Sequence, residues 1–221
     1  MANPEHLALL KQGSRIWLAW RKEYPEIQPD LQAANLSGAN LIAAELSGVN
    51  LAEADLSEAN LIGTNLSHAD LSRADLSRAL MLRTNLSDAK LIEANLCETD
   101  LRDGNLHEAQ LVGAYLYRAD LRGAKAIGVH CHSAYLARSD LEAAELYRAD
   151  LRWANLSQAN LQGANLAAAA LRGANLSRAC LQRANLRGAN LRGANLLQVD
   201  LGGANCQETN LLDAHFPASR G

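Results

Sequence analysis

Leucine recurs at every fifth position along most of the chain, and this period restricts the fold more than any other feature. From Leu31 to Phe216 the residues whose numbers end in 1 or 6 form 38 slots, and 33 of them are leucine. The residue two places before each slot is alanine in 28 of 38 repeats, and the residue between them is Asn or Asp in 26. No residue is inserted or lost along this run. The leucine slots hold another residue at Met81, Ala126, Cys131, Cys206 and Phe216.

A five-residue period is incompatible with an ordinary helix or strand. In an α-helix a step of five residues rotates by about 140°, so the leucines would scatter around the cylinder. In a strand, side chains alternate with period two, so successive leucines would point to opposite faces. A chain that turns the same corner every five residues keeps each leucine and its preceding alanine inside, with the other three residues outside. The sequence therefore predicts a solenoid in which each coil contacts only its neighbours.

The tandem A(N/D)LXX motif, as in "ANLSQ", "ANLQG" and "ADLSE", resembles the pentapeptide-repeat family over residues 29–218. The resemblance implies an all-β solenoid, a right-handed quadrilateral β-helix with four pentapeptides per coil. The right hand agrees with the general rule for parallel crossovers. With four repeats per coil, residues i and i+20 stack one coil apart. We expect three parts: a capping helix and lead-in at 1–28, the β-helix at 29–218 and a tail at 219–221.

Surface charges provide a check on the stacking rule because they did not enter its derivation. Residues of opposite charge recur at twenty-residue spacing, and opposite charges on adjacent strands attract. We interpret these columns as solvated salt-bridge ladders rather than as binding sites. The columns are Glu58, Arg78, Glu98 and Arg118; Glu53, Arg73 and Glu93; and Arg83 over Asp103.

Residues 1–28 do not follow the repeat. The spacing of apolar and aromatic residues predicts one amphipathic helix from Pro4 to Tyr24, with Asn3 as its N-cap and Pro25 ending it. An open end of a β-helix exposes apolar side chains and unpaired strand edges. We therefore expect this helix to lie over the first coil. The alternative is that Trp17 or Trp20 binds a partner.

The C-terminal end has no comparable helix. Leu201, Leu211, Leu212 and Phe216 are expected to surround an open last coil, and some members of the resembled family dimerise through this end. The sequence therefore predicts a homodimer through the C-terminal coil. The alternative is a monomer in which Phe216 and Pro217 fold over the last coil.

The stretch "KAIGVHCHSAYL", residues 125–136, is the most irregular part of the repeat. His130, Cys131 and His132 could indicate a metal, but Cys131 occupies an inward slot while both histidines point outward. We therefore expect no metal, and no cofactor. The sequence shows no nucleophile elbow, phosphate-binding glycine loop or paired carboxylates, so no catalytic residue is assigned and no enzyme is predicted.

Aromatic residues cluster near this stretch. Tyr115, Tyr117 and Tyr135 are expected on one side of the rod, beside Arg118 and Arg138. Tyrosine and arginine are typical of protein-binding patches. The alternative is that these large side chains cover a coil thinned by Ala126 and Gly128.

Charge is uneven along the chain, although the net charge is only −3 and the pI about 6.1. Residues 1–110 contain 9 basic and 16 acidic residues, and residues 111–221 contain 12 and 8. A column of like charge in the second half is a weak indication of an acidic partner. The net charge of the whole chain is neither positive enough to favour direct nucleic-acid binding nor negative enough to make the protein a polyanion. The column consists of His132, Arg152, Arg172 and Arg192.

The remaining features favour a cytoplasmic protein without membrane contact. Neither a signal peptide nor an apolar run of 18 residues is visible, and four cysteines in 221 residues favour a reducing compartment. The leading hypothesis for function is a non-enzymatic scaffold for protein–protein interaction. One alternative is a mimic of DNA that binds a type II topoisomerase (gyrase), a role the resemblance implies. The other is a structural rod with no partner beyond itself.

Overall fold

The computed structural model describes residues 1–216, which form two short helices followed by a stack of square coils. Helix α1 spans Pro4–Lys11 and helix α2 spans Ser14–Glu23. Parallel β-bridges then join residues twenty apart, from Asp30–Asn50 to Asn195–His215. The chain is thus a right-handed quadrilateral β-helix with four pentapeptides per coil. The expected end of the β-helix at residue 218 and the tail at 219–221 lie outside the described residues.

Each side of a coil contributes a single bridge residue, flanked by a tight turn, rather than a long strand. The leucine N–H donates to the carbonyl oxygen of the bridge residue one coil on, as from Leu36 to Asp55 at 2.7 Å. The bridge residue's own N–H donates backward, as from Asp55 to Ala34 at 2.9 Å. Because the repeats between the first and last coils make both bonds, the main-chain polar groups of these repeats are satisfied within the stack.

Leucine and alanine fill the interior. Every leucine-slot residue from Leu31 to Leu196 is at most 5% exposed. Burial of one leucine side chain contributes on the order of 1.5–3 kcal/mol. Threonine replaces alanine at a few inward slots, where its hydroxyl donates to a main-chain carbonyl, as from Thr64 to Leu41 at 2.6 Å. The core is therefore dry, and its few polar atoms are paired.

The Asn or Asp before each leucine stabilises the corner. Its side-chain oxygen accepts a hydrogen bond from the N–H two residues later, as at Asn35 and Ser37 (3.2 Å). Many of these side chains also bond between coils, as where Asn85 donates to Asn65 at 3.0 Å. The second turn residue then has a positive φ, between +51° and +61° at non-glycine residues. The positional preference for Asn and Asp thus comes from turn geometry.

The N-terminal segment differs from the predicted single helix. The cap at Asn3 is confirmed, since its side chain accepts from the N–H of Glu5 at 2.9 Å. The prediction of one continuous helix from Pro4 to Tyr24 is wrong, because Gly13 has a φ of +105° and separates α1 from α2. That φ lies outside the helical region and suits glycine, which has no Cβ.

The two helices cover the first coil, as expected. Trp17 is fully buried, and its indole Nε1 donates to the Glu45 carbonyl oxygen at 2.6 Å. The His6 Nδ1 accepts from the N–H of Asp30 at 3.0 Å. Trp20 packs between the His6 and Trp17 rings, with centroid distances of 5.0 Å and 5.3 Å. Trp17 is therefore a core residue of the cap rather than an exposed binding residue.

The interior is thinnest where the repeat is irregular. Ala126, Val129 and Cys131 line an apolar cavity of about 20 Å³ together with leucines of the neighbouring coils. Ala126 is smaller than the leucine found at this slot in most repeats, and it leaves part of the interior empty. Val129 stands at a slot that is usually alanine, and its larger side chain fills part of that space.

Restoring the regular residues here is expected to stabilise the protein. The double substitution Ala126→Leu with Val129→Ala should raise the free energy of unfolding by about 1 kcal/mol, because it fills the cavity without overpacking. Denaturant unfolding followed by circular dichroism measures the change. Ala126→Leu alone is the control and should gain less, since Val129 still occupies part of the space. A double variant no more stable than the unmodified protein would contradict this explanation.

Candidate protein-binding surface

One side of the rod, here called the tyrosine face, brings together all five residues of the predicted patch. Its outward side chains follow a column of leucines that begins at Leu36 and repeats every twenty residues. Its repeats are 34–38, 54–58, 74–78, 94–98, 114–118, 134–138, 154–158, 174–178 and 194–198.

The tyrosines of this face form a compact exposed cluster. Tyr115 and Tyr135 are joined by a β-bridge, and their rings stack at 5.1 Å with an interplanar angle of 7°. The Arg118 guanidinium lies 5.5 Å from the centre of the Tyr117 ring. Arg138 donates from Nη1 to the Tyr117 hydroxyl at 3.4 Å. The Tyr115 and Tyr135 residues are 46% and 50% exposed, so half of each is available for contact.

These rings do not fill the thinned part of the core. Ala126 and Cys131 face the interior and are at most 5% exposed, whereas Tyr115 and Tyr135 project outward from the coil. The other exposed aromatics of the region belong to other sides of the rod. Tyr147 and Trp153 follow Leu146 and Leu151, which are outside the leucine column of the tyrosine face.

Ion pairs between adjacent coils occur in all three predicted columns. On the tyrosine face, Arg78 lies 3.1 Å from Glu98 and 4.0 Å from Glu58. In the second column Arg73 and Glu93 are 3.0 Å apart, whereas no pair within 4.0 Å links Arg73 to Glu53 in residues 1–216. In the third column, Arg83 and Asp103 are 4.0 Å apart. All these side chains are largely exposed, so each pair contributes little to stability.

A second kind of ion pair lies within single repeats. Arg102 contacts Asp100 through both Nε and Nη2, at 2.8 Å and 2.7 Å. Arg152 holds Asp150 in the same way. The hydrogen bond from the arginine holds the pKa of each of these carboxyls below its usual value, against the opposing effect of partial burial. These carboxylates are therefore neutralised within their own repeats.

The predicted like-charge column has local compensation. Asp150 lies 2.7 Å from Arg152 and 3.9 Å from His132. Arg192 pairs with Asp213 at 3.3 Å. Arg172 lies 6.0 Å from the centre of the Trp153 ring, which is 61% exposed. Most of this column is thus balanced by the chain itself.

The irregular stretch separates its three candidate ligands. Cys131 is buried in the core, and burial raises the pKa of its thiol to about 12. His130 and His132 lie on the surface, near Glu108 at 3.5 Å and Asp150 at 3.9 Å. Within residues 1–216 no group of three or more His, Cys, Asp or Glu side chains could hold a metal ion. All four cysteines are free thiols.

The C-terminal coil leaves apolar side chains in solvent. Leu201 and Leu211 are only partly buried, whereas the equivalent leucines of earlier coils are closed to solvent. Leu212 and Phe216 are 57% and 47% exposed. Pro217, which would take part in the predicted monomeric plug, lies outside the described residues. Neither helix of the described chain has the length and apolar character needed to span a bilayer.

Comparison with known proteins places the chain in a family. The sequence profile described as pentapeptide repeats matches the segments 30–56, 44–82, 79–116, 114–152, 149–188 and 179–216. The chain belongs to the pentapeptide-repeat family. The expectation drawn from the A(N/D)LXX motif is thus confirmed.

Two solved structures illustrate the relationship. HetL, described as a pentapeptide repeat protein involved in heterocyst differentiation regulation from the cyanobacterium Nostoc sp. strain PCC 7120, is 35% identical. That alignment covers 89% of this chain and 95% of HetL, with a TM-score of 0.41. QnrB1, described as a plasmid-mediated fluoroquinolone resistance protein, is 18% identical, with 86% and 87% of the two chains covered and a TM-score of 0.51. No curated protein sequence matches this pentapeptide-repeat chain.

The paired carboxylates predict how stability depends on pH. Because the pKa of Asp100 is lower when folded than its unfolded value of about 3.9, the pair with Arg102 stabilises the fold above that value and is lost as pH falls through the folded pKa. Asp100→Asn should therefore be less stable than the unmodified protein near pH 6, and the difference should shrink as the pH falls from about 4 through the folded pKa of Asp100. Thermal unfolding over this range tests it.

Asp88→Asn is the matched control for this experiment. The ion-pair partner of Asp88 in the described chain is His68, at 4.0 Å, rather than an arginine fork. Its pH profile should follow that of the unmodified protein more closely. Equal profiles for the two variants would show that the Asp100–Arg102 pair adds nothing.

Proposed function

We propose that this pentapeptide-repeat protein is a non-enzymatic cytoplasmic scaffold whose tyrosine face binds another protein chain. The observation that carries the proposal is the stacked, half-exposed Tyr115–Tyr135 pair, with Tyr117, Arg118 and Arg138 beside it. Tyrosine and arginine dominate binding energy at protein interfaces, since they offer large contact areas and several hydrogen bonds. A flat, rigid surface also loses little conformational entropy on binding.

The filled interior supports a binding role rather than catalysis. Leucine and alanine close the space along the rod axis, and the apolar cavity beside Ala126 is only about 20 Å³. Small-molecule sites usually have volumes of about 300–1,000 Å³. The polar surface depressions are open, such as the one lined by His130, His132 and Arg152. A surface of this shape suits recognition of another macromolecule.

The alternative of DNA mimicry has less support. Such a protein needs a long, continuous acidic surface, and the longest uninterrupted carboxylate column within residues 1–216 consists of Asp100, Asp120 and Asp140. Arg102 and Arg122 contact the first two of these at 2.7 Å and 2.6 Å. The 18% identity to QnrB1 establishes a shared fold only. A supercoiling assay with gyrase tests this alternative, which requires inhibition or protection at micromolar protein.

The relative HetL is described as involved in regulation, a role compatible with binding other proteins. A rod with no partner beyond itself is the remaining alternative, and it predicts that removing the tyrosine side chains changes no interaction with a different protein.

Replacing the stacked tyrosines tests the scaffold proposal. Tyr115→Ser with Tyr135→Ser should remove bound protein from the tagged chain in a pull-down from its native cells, with recovery falling by about tenfold or more. Copies of the chain itself are counted among the captured proteins. Tyr147→Ser is the matched control, because Tyr147 is similarly exposed at 41% but lies on another side. An unchanged set of captured proteins would reject the tyrosine face as a binding surface.

We further propose that the open C-terminal coil forms an end-to-end homodimer. The support is the exposed apolar group of Leu212 and Phe216 beside the partly buried Leu201 and Leu211. Exposed coil ends favour pairing, and a two-fold contact closes it. Cys206, also exposed, belongs to the same coil.

A charge placed at this end should abolish the contact. In a chain that also carries Tyr115→Ser and Tyr135→Ser, which removes any contact through the tyrosine face, Phe216→Glu is expected to convert an end-to-end dimer to monomer in sedimentation velocity, since a carboxylate would be buried without a partner. Leu80→Glu changes a comparably exposed leucine, 44% accessible, on the side of the rod and should leave the dimer intact. A monomer for the unmodified chain at high concentration would overturn this proposal.

A further inference from the structure

Charge is separated along the tyrosine face. In its first four repeats, 34–38 to 94–98, four carboxylates accompany a single arginine. In its last five repeats, 114–118 to 194–198, the charged residues are three arginines and no carboxylate. The face therefore has an acidic half and a basic half, with the exposed tyrosines between them. The acidic half contains Asp55, Glu58, Asp75, Glu98 and Arg78, and the basic half contains Arg118, Arg138 and Arg178.

The basic half has few partners within the chain. Among residues 1–216 no ion pair within 4.0 Å joins Arg138 or Arg178 to a carboxylate. Arg138 donates to the Tyr117 hydroxyl at 3.4 Å, and Arg178 donates to the Gln198 side chain at 2.8 Å. Both guanidinium groups are on exposed residues and can donate hydrogen bonds to a carboxylate of another chain.

A two-fold dimer with antiparallel rods would bring the two halves together. If two copies meet through this face with the axis parallel to the strands, each column of side chains lies over itself with its coil order reversed. When the axis passes through the coil of Arg118, residues equally far from it on opposite sides face each other. Glu98 lies one coil before Arg118 and Arg138 one coil after it. Glu58 and Arg178 lie three coils before and after.

This register pairs the charges along the column. Glu98 faces Arg138 of the second copy, and Glu58 faces Arg178 of the second copy. Because the arrangement is symmetric, each pair occurs twice. Two coils from the axis, Arg78 faces the uncharged Gln158.

The neighbouring column is also complementary. The Tyr115 rings of the two copies meet at the axis, and Asp75 faces the amide of Asn155. In these two columns only Arg118 faces a like charge, because at the axis it lies opposite Arg118 of the second copy. In each chain its guanidinium lies over Tyr117 at 5.5 Å and is 4.0 Å from Glu98, which reduces that repulsion.

Adjacent registers are less favourable. Moving the axis midway between the coils of Arg118 and Arg138 places Arg118 against Arg138 and Arg78 against Arg178. Moving it midway between the coils of Glu98 and Arg118 pairs Glu98 with Arg118 but places Arg78 against Arg138. A parallel dimer, with its axis along the rod, would set each coil against the same coil of the second copy, so the two carboxylates of repeat 54–58 would face the same two carboxylates. Opposed like charges are destabilising.

With the axis midway between the coils of Arg78 and Glu98 the charges also pair, Arg78 with Glu98 and Glu58 with Arg118, but the Tyr115 and Tyr135 rings then lie away from the axis and fewer coils overlap. The charges together with the central tyrosines therefore favour the antiparallel arrangement about the Arg118 coil.

We propose that the tyrosine face binds a second copy of this chain in this antiparallel register. The inference rests on the proposed function, because it names the occupant of the same surface. Half-exposed tyrosines supply the contact at the centre, and the Glu98–Arg138 and Glu58–Arg178 pairs set orientation and register. Because these pairs lie near solvent, the dimer weakens as salt concentration rises.

Charge exchange between two variants tests the register. The acidic-side variant carries Glu58→Arg and Glu98→Arg, and the basic-side variant carries Arg138→Glu and Arg178→Glu. Each variant alone should dimerise at least about tenfold more weakly than the unmodified chain, because all four intermolecular pairs become repulsive. An equimolar mixture should recover dimers containing one copy of each, and a chain carrying all four substitutions should dimerise with itself. Native mass spectrometry and sedimentation at low salt measure both effects.

The matched control is the pair Arg83→Glu and Arg183→Glu, which makes the same change in net charge as the basic-side variant on another side of the rod. It should dimerise like the unmodified chain. Circular dichroism melting shows that each variant is folded. All measurements use the Phe216→Glu background, so that an end-to-end contact does not contribute.

The proposal is overturned if the chain stays monomeric in this background at high concentration, if the control weakens dimerisation equally, or if the mixture is not restored. Failure of this dimer is distinguishable from failure of the scaffold proposal. If Tyr115→Ser with Tyr135→Ser still removes a different captured protein, the surface binds a partner that is not a second copy.

Discussion

The main-chain hydrogen bonds between coils determine the rest of this structure. Between the first and last coils, each leucine-slot N–H donates to the coil after it and each bridge residue donates to the coil before it, as at Leu36, Asp55 and Ala34. These bonds hold residues i and i+20 at the spacing of adjacent strands, which is about 4.8 Å. The interior is consequently too narrow for two large side chains in one repeat, and leucine with alanine is the pair that fits.

The same constraint turns the surface into columns. Each five-residue repeat has three outward positions. Residues at the same position of repeats twenty residues apart stack into one column along the rod. Ion pairs such as Arg78–Glu98 are the result of this geometry, and each is individually weak because both residues are exposed. What a column can recognise depends on the order of its residues along the rod. On the tyrosine face that order separates an acidic half from a basic half, with Tyr115 and Tyr135 between them.

The two ends of the stack differ: the N-terminal helices cover the first coil, whereas the last described coil is exposed. At the first coil, Trp17 and His6 complete hydrogen bonds that the missing preceding coil cannot make. At the last described coil, apolar residues such as Phe216 remain in solvent.

The break between α1 and α2 is a feature that the periodicity of apolar residues did not predict, since the apolar spacing continues across Gly13 without a visible interruption. Gly13 has a φ of +105° at this break, which the apolar spacing does not reveal.

The sequence by itself determined the five-residue period, the inward leucine and alanine, and the residues able to form charge ladders, because side-chain volume and spacing are local properties. The family resemblance added four repeats per coil, which the β-bridges show. The twenty-residue stacking rule also predicted that Tyr115 and Tyr135 share a side, and only the tertiary structure showed that their rings stack at 5.1 Å and remain about half exposed. The tertiary structure also decided which charges pair, since Arg73 contacts Glu93 and not Glu53. These outcomes depend on side-chain rotamers and on neighbours one coil away, which linear spacing brings into reach without fixing their contacts.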